Sequence, residues 1–102
     1  MSIVVIARFS VPDVAKAIEW AKANASMPEE ITAYGKSLGQ IGHRMVTADG
    51  DLVVIDEWPD EERFNQFFQS APKMDEFLAG AGITGPPTIS VYSSIDDVPG
   101  TF

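Results

Sequence analysis

Three observations predict an α+β domain with the element order strand, helix, strand, strand, helix, strand. The chain opens on an apolar, β-branched run, an Asp-Gly pair at its middle joins two more such runs, and a fourth, alternating run follows a Gly/Pro-rich stretch near its end. Apolar residues at helical spacing fill both remaining intervals. At 102 residues the chain has the size of one domain, and either half would be too small to bury a core, so residues 1–102 are read as a single unit.

Ile3 to Phe9 is nearly all apolar, as expected of a strand covered on both faces. Val11-Pro12-Asp13 ends it, and Val14, Ile18, Ala21 and Ala25 then recur at helical spacing to about Asn24. Ser26-Met27-Pro28-Glu29 has the form of a capping box, which predicts a break near Ser26 and a second helical piece with Ile31, Tyr34 and Leu38 on its apolar side. Gly39 is placed to close that piece in the left-handed conformation. Gly42 to Thr47 and Leu52 to Trp58 flank Ala48-Asp49-Gly50-Asp51, where Asp-Gly suits a tight antiparallel hairpin. Pro59-Asp60-Glu61-Glu62 concentrates acid at the start of the next helix, and Phe64, Phe67 and Phe68 form its apolar face. Ser70-Ala71-Pro72 interrupts this helix before Met74, Phe77 and Leu78 resume it up to Gly80. Residues 81–87 are a Gly/Pro linker, Thr88 to Ser94 is the last strand, and Ile95 to Phe102 is a tail.

This order is the split βαβ, or ferredoxin-like, arrangement: a four-stranded antiparallel sheet with both helical regions on one face. The other face is left uncovered, yet the first and third strands carry apolar residues at both alternations (Ile3, Val4, Val5 and Ile6; Val53, Val54 and Ile55). That face is therefore expected to be buried against a second copy, making the chain a homodimer.

Seven Lys+Arg against fifteen Asp+Glu give a formal charge of −8, which argues against nucleic acid and anionic membrane surfaces as partners. With no cysteine there is no disulfide and no thiolate site. The first residues lack a basic leader, Arg8 interrupts their apolar run, and no segment has the ~20 apolar residues of a membrane span. A cytoplasmic protein is the expectation.

The run from Val53 to Phe68, with Asp56-Glu57-Trp58-Pro59-Asp60-Glu61-Glu62 at its centre and Phe64, Phe67 and Phe68 after it, resembles the strand-to-helix junction of antibiotic-biosynthesis-monooxygenase-like proteins of the dimeric α/β-barrel superfamily. With the strand order, the likeness spans most of the chain. It implies two sheets packed across a dimer and a small-molecule cleft between each sheet and its helices. The activities that go with the resemblance include cofactor-free oxygenation of polycyclic phenols, haem degradation and isomerisation. The haem-degrading branch uses an Asn on the first strand, the Trp ending the third and a His on the second helical region. Here only Trp58 remains, since Ala7 and Phe77 stand at the other two places. No haem, metal or flavin is therefore expected, and one histidine without a spaced companion is not a metal ligand set.

His43 is the only histidine, and histidine is the side chain suited to proton transfer near neutral pH. It shares the parity of Ile41 and Met45, so it is either an acid–base group facing the cleft or a hydrogen-bonded residue in the dimer core. Asp56, an acid inside an apolar strand, needs a partner or exposure. It shares a strand face with Trp58, which either stacks on a flat ligand or packs under the following helix. Arg8 is expected to pair with Asp56, Glu57 or a ligand anion, and Arg44 lies on the face opposite His43. Tyr34, Phe67 and Phe77 are the aromatic candidates for the pocket wall, although aromatic stripes at helical spacing usually form core. The glycines of residues 80–87 lack the closing Lys-Ser/Thr of a phosphate loop.

Two functions fit. In one, a cofactor-free monooxygenase acts on an aromatic or polyketide-like molecule, with His43 or Asp56 handling a proton and Arg8, Tyr34, Trp58, Phe67 and Phe77 contacting the substrate. In the other, the chain is a non-catalytic ligand-binding or interaction module.

Overall fold

The computed structural model describes residues 2–101. Its elements are β1 (Ile3–Ser10), α1 (Val14–Ala23), α2 (Ser26–Ser37), β2 (Gly42–Ala48), β3 (Asp51–Trp58), α3 (Glu61–Ser70), α4 (Met74–Gly80) and β4 (Thr88–Ser93). The strands form one antiparallel sheet in the order β2-β3-β1-β4, the ferredoxin-like arrangement.

Local chemistry explains most of the boundaries. The Asp13 carboxylate accepts from the Lys16 amide at the start of α1, and Asp60 accepts from the Arg63 amide at the start of α3. Asp49 and Gly50, at φ 54° and 77°, form the two-residue turn between β2 and β3, the positive pair that matches strand twist. Gly39 takes φ 93° past the end of α2. Gly80 serves a different purpose: a Cβ there would collide with the indole of Trp20, so α1 and α4 pack closely only over a glycine.

The capping box expected at Ser26 is not formed. Ala25 before it is already helical, with φ −56° and ψ −28°, and Ser26 makes no side-chain cap. The break is closed one residue earlier by Asn24, whose side-chain amide and backbone N–H both donate to the Trp20 carbonyl at 2.9 and 3.0 Å. With no extended residue between the helices, a serine there has no free amides to cap.

On the helix-covered sheet face the core divides in two. Ala7, Phe9, Ala17, Leu52, Ala81 and Ile83 form one cluster, and Val5, Ile31, Trp58, Phe64 and Phe67 form the other. On the opposite face Val4, Ile6, Val46 and Ile55 are half-buried with no helix over them. Among the described residues no helix is long and apolar enough to cross a membrane.

Candidate functional site

The strand register decides which side chains meet. His43 pairs with Asp56 across β2 and β3, and Asp56 with Val5 across β3 and β1, so all three share the helix-covered face. His43 Nδ1 lies 2.7 Å from Asp56 Oδ1. The two residues are environmentally unlike: the Asp56 side chain is 7% exposed, the His43 side chain 37%. A buried carboxylate needs a hydrogen-bond donor, and the histidine supplies one while fixing its own ring orientation.

Asp56 and His43 open onto a cavity of about 90 Å³ between the two core clusters. The sheet contributes Ala7, Phe9, Met45 and Val54, α3 contributes Phe64, Phe67 and Phe68, and α4 contributes Met74, Phe77 and Leu78. Only Thr32, Gln40, His43 and Asp56 bring polar groups to this wall. His43 and Thr32 also border a shallow surface groove with Glu29 and Lys36, so the imidazole stands between cavity and solvent. Among the described residues no three His, Cys, Asp or Glu side chains are grouped to hold a metal ion.

The expectations for individual residues divide accordingly. Phe67 and Phe77 line the cavity, as do His43 and Asp56. His43 is therefore on the helix side of the sheet and not in the open face that would form a dimer core. Trp58 is not in the cavity wall: it is fully buried, its ring 5.0 Å from Phe67 and 6.2 Å from Phe64, packed beneath α3. Its Nε1 is the one buried side-chain nitrogen or oxygen among the described residues without a hydrogen-bond partner. Tyr34 also stands outside the wall, stacked on Phe67 at 6.2 Å.

Arg8 is a clear correction. It pairs with Val53 in the register and so points to the open face, where Nε donates to Asp51 Oδ2 at 2.6 Å and Nη2 to the Ala48 carbonyl at 3.3 Å. It reaches neither Asp56 nor Glu57, because Asp56 faces the other way and Glu57 lies four residues along the strand from Val53. Instead Glu57 accepts from the Ser2 hydroxyl.

The pairing of His43 with Asp56 went unread although its signal was present. A two-residue turn at Asp49-Gly50 makes Ala48 face Asp51, and counting five residues away from the turn along each strand brings His43 opposite Asp56. Gln40 and Thr32 were also missed, and polar residues beside helix ends carry no comparable pattern.

No family model and no curated protein sequence matches the chain. Solved structures do, over nearly its whole length. A monooxygenase from the gene ActVA-Orf6 of Streptomyces coelicolor, in complex with nanaomycin D, is 14% identical with a TM-score of 0.66, the match covering 98% of this chain and 93% of that one. This chain shares the fold of the antibiotic biosynthesis monooxygenase-like proteins. SnoaB of Streptomyces nogalater, a cofactor-independent oxygenase solved in a mutant form, is 16% identical, covering 96% and 97% with a TM-score of 0.63. A dimeric ferredoxin-like protein from an uncultured marine organism is 6% identical, covering 98% and 93% with a TM-score of 0.67.

Proposed function

We propose that this protein is a homodimer that binds a small aromatic or polyketide-like molecule in the cavity behind the sheet and oxygenates it without a cofactor. The observation that carries the reading is a hydrogen-bonded His–Asp pair set in a largely apolar wall. The shared fold with a monooxygenase bound to nanaomycin D and with a cofactor-independent oxygenase supports it. The apolar open sheet face and a dimeric protein of the same fold support the homodimer.

In this mechanism Asp56 holds the imidazole by Nδ1, leaving Nε2 to remove a proton from a ring-activated CH2 or phenol of the substrate. The resulting carbanion adds dioxygen, the imidazolium returns its proton to the peroxide, and loss of water leaves a carbonyl. One oxygen atom enters the substrate and the other leaves as water, so the substrate supplies all the electrons. A ring-sized ligand needs more room than about 90 Å³, since a benzene is held by a cavity of roughly 150 Å³. α4 is the element that can give way, because none of its residues is buried.

The test is dioxygen uptake by the purified protein with one- to three-ring phenols. Uptake is expected to fall at least about 100-fold in His43→Ala, the usual contribution of a positioned acid or base. Undiminished uptake in that variant would exclude His43 chemistry. That His43 and Asp56 satisfy each other within the fold favours a second reading, a non-catalytic binding module, which predicts ligand binding with no uptake at all.

A further inference from the structure

The cavity holds a second polar feature, on the side of α2. Gly35 lies in the last turn of that helix and is buried. A glycine there lowers helix propensity relative to alanine, and its φ is not positive, so no turn requires it. What requires it is space. A Cβ on Gly35 would collide with Oε1 of Gln40 and stand 3.2 Å from Cε1 of Phe67. The notch therefore seats a carboxamide, and the backbone secures it: the Gln40 amide donates to the Gly35 carbonyl at 3.0 Å, made possible by the turn at Gly39.

The seated group does nothing for the fold by hydrogen bonding. Among the described residues no group hydrogen-bonds the Gln40 carboxamide, whereas the other strongly polar pair in the wall, His43 and Asp56, satisfies itself. Gln40 is half-buried, and an amide at the edge of an apolar cavity with no protein partner is free to exchange water for a ligand.

We infer that Gln40 is the specificity-determining residue of the cavity, hydrogen-bonding a hydroxyl or carbonyl oxygen on an otherwise apolar ligand, and that Gly35 is the positioning residue that makes room for it. The inference rests on the cavity being a ligand site, as proposed above, but not on oxygenation. A neutral amide can both donate and accept, so it selects for an oxygen substituent without demanding charge. A site built in this way discriminates chiefly against analogues that lack the group, because they leave the amide unpaired.

The experiment compares p-cresol with toluene, which differ by one hydroxyl, as probes in calorimetric titration of the full chain. In Gln40→Leu the ratio of p-cresol to toluene affinity is expected to fall about tenfold from its wild-type value, the worth of one hydrogen bond near 1.4 kcal/mol. Toluene binding is expected to persist. Gly35→Ala, which adds no polar group and removes none, is expected to reproduce the fall by displacing Gln40. A ratio that moves less than about twofold in Gln40→Leu would overturn the inference while leaving the cavity a ligand site. A ratio that collapses in His43→Ala but not in Gln40→Leu would overturn it as well, assigning the hydroxyl to the histidine. If the wild-type chain binds neither probe, the ligand-site reading falls and the inference with it.

Discussion

Asp56 is an ionisable residue that is 5% exposed, and His43 is the donor that makes its burial tolerable. Removing the histidine strands a carboxylate, while removing both leaves only a slightly larger cavity. A double-mutant cycle with His43→Leu and Asp56→Leu, measured by urea unfolding, is therefore expected to give a coupling of about 1 kcal/mol. The value falls below the roughly 1.5–3 kcal/mol of a charge-assisted bond because the His43 side chain is 37% exposed. Additive single variants would mean that the pair contributes nothing to the fold. The identities of both residues were legible as chemistry; their shared face was left open and is settled by the register of the hairpin. Arg8 shows the complementary failure: the register puts it on the sheet face away from Asp56, but choosing Asp51 as its partner needs the hairpin end in three dimensions. Trp58 and Tyr34 were open to two readings because aromatic residues serve core and pocket alike, and only packing beneath α3 or against Phe67 separates the two.

At the scale of elements, the strands, the hairpin and the break between α3 and α4 were readable because each is dictated locally, by alternation, an Asp-Gly turn, or a proline; the break near Ser26 was expected from a cap that does not form. The two interruptions are built differently. α1 gives way to α2 through Asn24 with helical backbone on either side, which no cap motif announces. α3 gives way to α4 through Ala71 and Pro72, and Lys73 then takes φ 59°, a left-handed conformation that disfavours any residue with a Cβ. Its salt bridge to Glu30, 3.2 Å long and about half exposed at both ends, offsets little of that strain. Lys73→Gly is expected to be more stable than Lys73→Ala by about 1 kcal/mol in thermal or urea unfolding. Equal stabilities would show that the backbone relaxes when the salt bridge is removed. The break also accounts for a short α4 with no buried residue.

For the whole molecule, one sheet face is closed by four helices and the other carries Val4, Ile6, Val46 and Ile55 without cover. In the proposed dimer that face meets its copy, and a carboxylate placed at its centre would be buried without a partner. Ile6→Asp is expected to shift the mass measured by light scattering from twice 11.1 kDa to 11.1 kDa. An unchanged mass would locate the dimer contact elsewhere or remove the dimer. Either way the cavity lies on the helix side, enclosed within one chain, and this has a kinetic corollary. His43 has one flank on the cavity and another on the surface groove beside Lys36. In the proposed reaction a proton taken up by the imidazole would reach bulk water along that groove, without passing back across the apolar wall.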